Sequence, residues 1–220
     1  MIEELLRIDN GVVHKNGQEL IKGLNLQAYK GEILGLISDN IKEKQCILDI
    51  LNGNINLDDG WVSFEEKRIQ DYEVSQTLKS RIAVIEGKCK LVNNLSVAEN
   101  IFVIRGGFKK YFINKRLLYR QAGSLLSEFQ LKIRPDSYVV RLTPLERCMV
   151  ELVKAYATGH RLIVCSDFTS FLSSTEVMKA FQSILWLRNR GVGFIFIENH
   201  DDVLFEYSNR ITVIHNGKTV

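Results

Sequence analysis

Residues Ile33 to Gly53 constrain the fold more than any other stretch. A five-residue apolar run, Ile33 to Ile37, is followed by a short polar turn. A segment then follows in which Ile47, Leu48, Ile50 and Leu51 recur at helical spacing. A buried strand feeding directly into an amphipathic helix is the building unit of a sheet with helices packed on it. The turn has the outline of the phosphate-binding pattern GxxxxGK[ST]. In that pattern the glycines let backbone N–H groups close on phosphate, the lysine neutralises it and the hydroxyl holds Mg²⁺. Here Ser38, Ile41 and Glu43 stand where the pattern has glycine, Lys44 keeps the lysine, and Gln45, followed by Cys46, replaces the hydroxyl.

The rest of the chain extends this unit in both directions. Strand-like runs at Leu5 to Val13, Leu20 to Tyr29 and Trp61 to Phe64 predict a β-rich beginning, and Ile82 to Ile85 is a further short apolar run. Helical periodicity covers Asn114 to Phe129 and Leu145 to Ala157. The last third alternates strand (Leu162 to Cys165), helix (Ser174 to Arg190), strand (Gly193 to Ile197), short helix and strand (Ile211 to Ile214). Continuous apolar strands separated by helices predict a parallel sheet covered on both faces. The expected architecture is an α/β core with a β-rich entry and a helical insertion at about residues 88–155. With two prolines and no low-complexity segment, nothing marks a linker.

Composition narrows the function classes. The chain has 220 residues, 45% hydrophobic and 25% charged, enough to bury the core of one domain. A net charge of +3 makes no general case for nucleic acid as a partner, although Gly106 to Phe112 mixes basic and aromatic residues. Cys46, Cys89, Cys148 and Cys165 show no C-x-x-C spacing and sit among apolar neighbours, which predicts reduced thiols rather than a disulfide or a metal site. No apolar run approaches the roughly 18 residues that cross a bilayer, and the first residues do not read as a signal peptide, so membrane association is expected only through a partner.

The order of elements resembles an ATP-binding-cassette (ABC) nucleotide-binding domain of the P-loop NTPase type, and four phrases carry the resemblance. Asn94-Leu-Ser-Val-Ala-Glu-Asn-Ile-Phe102 is similar to the segment after the Q-loop in sugar-import cassettes. Met149-Val-Glu-Leu-Val-Lys-Ala155 is similar to the helix after their signature motif. Leu162-Ile-Val-Cys-Ser-Asp-Phe-Thr-Ser-Phe-Leu172 resembles the Walker B strand and D-loop. Asn209-Arg-Ile-Thr-Val-Ile-His-Asn-Gly217 resembles the strand after the H-loop. These fall in the family's order over essentially the whole chain. The resemblance implies a cytoplasmic domain, peripheral at the inner face of the membrane. Its partners would be an ABC permease subunit and a second cassette. Because the resembled importers carry two cassettes in one chain, the sequence reads as a single cassette or as the first of two.

Position by position, the resemblance implies altered chemistry. Ser38, Asn40, Lys44, Gln45 and Cys46 fall on the nucleotide-contacting loop, but Glu43 brings a negative charge there, and an amide is a poor Mg²⁺ ligand beside a hydroxyl. The Q-loop glutamine corresponds to Gly87. The signature Leu-Ser-Gly-Gly-Gln corresponds to Leu142, Thr143, Pro144, Leu145 and Glu146; Pro144 lacks a backbone N–H and Leu145 adds bulk. Ser166 replaces the Walker B aspartate and Asp167 occupies the catalytic glutamate position. Asn199 falls on the histidine position with His200 one residue later, and Lys15, beside His14, falls where an aromatic stacks on adenine. No catalytic residue and no metal ligand set is assigned from these positions, and ATP with Mg²⁺ is expected to bind weakly or not at all.

Two of these segments also read as helix caps. Asn40-x-x-Glu43 and Thr143-Pro-Leu-Glu146 both have the capping-box form, in which a polar residue accepts from the first-turn N–H groups and a glutamate reaches back. Pro144 at the first helical position strengthens the second. Self-capped helix starts compete with phosphate for the same donors. Three readings follow: a sugar-importer cassette that is a pseudo-ATPase with a structural or regulatory role, an ABC-fold scaffold without a transport role, and a working ATPase with unusual site residues.

Overall fold

The computed structural model describes residues 3–15, 17–102, 114–198 and 201–220. Its strands are β1 (Glu4–Lys15), β2 (Gln18–Tyr29), β3 (Ile33–Ser38), β4 (Asp59–Phe64), β5 (Lys67–Arg68), β6 (Ile82–Glu86), β7 (Leu162–Ser166), β8 (Gly193–Ile197), β9 (Arg210–His215) and β10 (Lys218–Thr219). The helices are α1 (Ile41–Leu51), α2 (Val74–Arg81), α3 (Val97–Phe102), α4 (Lys115–Glu128), α5 (Pro144–Ala157), α6 (Ser174–Arg188) and α7 (Asp201–Tyr207). The chain divides into two compact units. One comprises Met1–Val84, Arg161–Asp167 and Leu185–Val220, and the other Ile85–His160 and Phe168–Ile184.

In the first unit the strands run in the order β5, β4, β1, β2, β10, β9, β3, β8, β7, β6. Strands β9, β3, β8 and β7 pair in parallel, with Gly35 opposite Ile211 and Phe196, and Cys165 opposite Phe196. Strands β1, β2, β4 and β5 pair antiparallel. The expected parallel sheet is therefore one arm of a mixed sheet, and β10 joins the arms by pairing parallel to β2 at Gly23 and antiparallel to β9. The hairpin before β10 turns on Asn216 and Gly217, both at positive φ (52° and 76°), the conformation a two-residue turn demands. Ile195 and Ile197 point from β8 into a core shared with Cys46, Ile47, Ile50 and Leu51 of α1. Phe194 and Phe196 project from the opposite face, stacked at 6.2 Å, and all four β8 side chains are buried.

The second unit is mainly helical. Val97 and Ile101 of α3, Leu118, Ala122 and Leu126 of α4, and Met149, Val150 and Leu152 of α5 are buried, and Phe129 meets Tyr156 edge to face at 5.5 Å. Helix α4 begins one residue inside the expected span because Asn114 is its N-cap, accepting from the Leu117 N–H at 3.2 Å. Helix α3 starts with its own capping pair, in which Glu99 accepts from the Ser96 N–H at 2.8 Å and Ser96 Oγ accepts from the Glu99 N–H at 3.2 Å. The basic-aromatic segment Gly106 to Phe112 lies outside the described residues.

Candidate functional site

The turn between β3 and α1 is organised around a buried carboxylate. Asn40 is the N-cap of α1 and its Oδ1 accepts from the Lys42 N–H at 2.9 Å. The expected reciprocal arm differs. Glu43 does not reach back to the Asn40 N–H, because Ser38 Oγ accepts that donor at 3.1 Å. The Glu43 carboxylate instead receives Ser38 Oγ–H at 2.9 Å and Asn40 Nδ2–H at 3.2 Å. It is 3% exposed. The first turn closes conventionally, Lys44 N–H to Asn40 O at 3.1 Å, and no residue from 38 to 45 adopts a left-handed φ. A concave anion nest is built from successive right- and left-handed residues, whereas this turn is an N-capped helix start.

The remaining loop side chains are also committed. Lys44 Nζ donates to the Glu198 carbonyl at 3.2 Å, just past β8. Gln45 turns along the helix to Asp49 at 3.2 Å. Asp39 adds a second carboxylate to the turn, 3.5 Å from His215. Cys46, grouped in sequence with the loop contacts, lies wholly in the core, where burial raises its thiol pKa to about 11. A cleft of about 100 Å³ brings Lys44 and Gln45 together with Ser166 and Asp167, walled by Ile41, Leu48 and Ile197. Ser166 ends β7 and is 8% exposed. Asp167 follows at φ 48°, its N–H donating to Ile197 O at 3.1 Å, so the chain leaves the sheet there through a left-handed residue. His14 is tied by its backbone and ring to Asp58, at 2.6 and 3.0 Å, and Lys15 is exposed beside it. Asn199 and His200 lie outside the described residues.

The signature-like residues and Gly87 belong to the second unit. Thr143 forms the complete capping box of α5: Glu146 Oε2 accepts from the Thr143 N–H at 2.8 Å, and Thr143 Oγ1 accepts from the Glu146 N–H at 3.2 Å, with Pro144 in the first turn. Arg147 folds back onto the carbonyls of Leu142 (3.2 Å) and Val140 (3.3 Å). Leu142, Pro144, Arg147 and Gly87 line a cleft of about 460 Å³; Leu145 is half-buried. One turn along α5, Glu151 is 7% exposed and accepts the Lys90 N–H at 2.7 Å, and its Oε2 has no hydrogen-bond partner among the described residues.

Burial raises the Glu151 carboxyl above its ordinary 4.5. A group protonated more readily in the folded state contributes stability that is complete below the unfolded value and lost as pH rises through the folded one. Glu151→Gln is therefore expected to flatten the decline of stability above pH 4.5 and to stabilise the protein at neutral pH. Urea midpoints measured across that range check this, and an unchanged slope contradicts it.

These geometries stand beside clear similarities. The ABC transporter family model matches residues 21–170. The galactose/methyl galactoside import ATP-binding protein MglA of Treponema denticola is 28% identical over 220 residues, covering 100% of this chain and 44% of that protein. The ribose import ATP-binding protein RbsA 1 of Streptomyces avermitilis is 30% identical over 218 residues, 99% of this chain and 42% of that protein. The chain thus spans less than half the length of the curated relatives it matches. A nucleotide-free ATP-binding cassette from an ABC transporter superposes with a TM-score of 0.83 at 21% identity, covering 99% of this chain and 90% of the other. A cassette in its ADP conformation gives 0.84 at 22% identity, covering 99% and 89%. The fold is that of an ABC cassette, and, with well over half of its length matched by the family model, the chain belongs to the ABC transporter family.

Proposed function

We propose that this chain is the ATP-binding-cassette domain of a sugar importer that works as a pseudo-ATPase. In this reading it sits at the cytoplasmic face of the membrane, beneath a permease and beside a second cassette, and acts structurally or as a regulator. The sugar-import reading draws on the similarity to ribose and galactose import proteins. The pseudo-ATPase reading rests on one observation: the buried Glu43 carboxylate takes the Ser38 and Asn40 donors of the loop that would cradle phosphate.

The residues do not fit ATP with Mg²⁺. A triphosphate brought to this turn meets a buried carboxylate and an exposed Asp39 rather than a ring of free N–H groups. The metal positions offer a Gln45 amide held by Asp49 and the Ser166 hydroxyl, poor substitutes for hard oxygen donors on a small octahedral cation. Losing one well-placed electrostatic group costs about 2.7–4 kcal/mol of barrier, so several losses leave no useful turnover. Phosphate release from MgATP by the wild-type chain is expected to equal that of a Ser166→Ala/Asp167→Asn variant. Release clearly above that background overturns the reading.

A further inference from the structure

We propose that the exposed basic patch at the start of α4, formed by Arg116 and Arg120 with Lys115 and Leu117 at its two edges, is a docking surface for anionic phospholipid headgroups. From Asn100 to Ser127 the sequence contains six Lys or Arg and no Asp or Glu. The whole chain nets +3, so the residues outside that run sum to −3, and the positive charge of the protein is concentrated here. Within the described part of the run, Lys115, Arg116 and Arg120 are all exposed, and Leu117 among them is 46% exposed.

Folding alone gives no reason for this arrangement. Arg116 and Arg120 are spaced i, i+4, where like charges repel. Helix α4 has no acidic residue in its first turn, where Lys115 and Arg116 sit at the positive end of the helix dipole. Among the described residues none of the three is in a salt bridge, and Lys115 interacts with the Glu99 carboxylate. Charge that is unfavourable within the helix becomes favourable against an external anionic surface. The exposed leucine beside the arginines favours a lipid interface over nucleic acid, because an interfacial helix carries cations beside apolar side chains. Among the described residues no helix is long and apolar enough to cross a membrane, so this contact is peripheral. It adds a direct contact to the partner-mediated one expected from the sequence, and does not depend on the reading of the ATP site.

The test is co-sedimentation of the full chain with vesicles of phosphatidylcholine alone or mixed with phosphatidylglycerol, at low and high salt. Binding is expected only to the anionic vesicles, weakened by salt, and about thirty-fold weaker for Arg116→Gln/Arg120→Gln, at roughly five-fold per neutralised charge. Circular dichroism and the unfolding midpoint confirm that the variant is folded, and Arg134→Gln, on an exposed pair with Asp136, is expected to bind like wild type. Equal binding to both vesicle types, no binding at low salt, or undiminished binding by the double variant overturns the proposal. So does equally tight, equally charge-dependent binding of a short single-stranded RNA.

Discussion

Glu43→Gly, the substitution that would return a glycine to the loop, is expected to destabilise the protein rather than repair it. In this structure the carboxylate is a structural acceptor: Ser38 Oγ and Asn40 Nδ2 donate to it, and Ser38 Oγ in turn accepts the Asn40 N–H. Glycine removes the acceptor of two charge-assisted hydrogen bonds; the one from the buried Ser38 hydroxyl carries most of the cost, about 1.5–3 kcal/mol, because Asn40 is half-exposed and its amide can turn to water. It also introduces a flexible residue into the first helical turn at about 0.5–1 kcal/mol. A loss of about 2–4 kcal/mol is expected, read as a shift of the urea midpoint at constant slope. If the loop were instead a phosphate cradle with an incidental glutamate, the same change would leave stability nearly unaltered and would open the turn to ATP.

Phe194→Ala is expected to cost about 3–5 kcal/mol, the usual range for removing a buried phenylalanine. Phe194 is fully buried in β8, opposite Ile33 of β3 and Ile163 of β7, and stacks on Phe196. Close packing on both sides leaves little room for collapse around the cavity, which places the cost toward the upper end. The Phe194 N–H to Glu32 O bond at 2.8 Å is retained, so the loss measures packing rather than the ladder. Phe205→Ala on α7, where the ring is 68% exposed, is the control and is expected to change stability by less than about 0.5 kcal/mol. Comparable losses at the two positions would contradict the placement of the core.

Much of the fold was legible because its strands are short, apolar and bounded by turn residues. Ile33 to Ile37, Leu162 to Cys165 and Gly193 to Ile197 fall within one residue of β3, β7 and β8. Helix α2 was missed because Val74 and Leu78 are its only buried side chains, which leaves a faint periodicity. Strand β10 was missed because it has two residues, although Asn216-Gly217 ahead of it was a readable hairpin signal. The hairpin between β4 and β5 had no such signal, since Glu65 and Glu66 both adopt positive φ without a glycine. At the site, the Thr143 box follows from local spacing and forms as read. The Asn40 turn does not, because its outcome depends on Ser38 at the end of β3 competing for the Asn40 N–H, and the i, i+3 pattern does not include that residue. The capping pattern does not separate Cys46 from Gln45, but the apolar neighbours of Cys46 do: it faces the core while Gln45, one residue earlier, faces solvent.

The most direct test of the claim that a carboxylate has taken the phosphate's place is calorimetric titration of the wild-type chain and of Lys44→Ala with ATP, with and without Mg²⁺. No saturable heat is expected up to millimolar nucleotide, and no difference between the two proteins. Saturable binding by the wild type that is lost in Lys44→Ala would contradict it, because it would show that Lys44 leaves the Glu198 carbonyl to hold a phosphate despite Glu43.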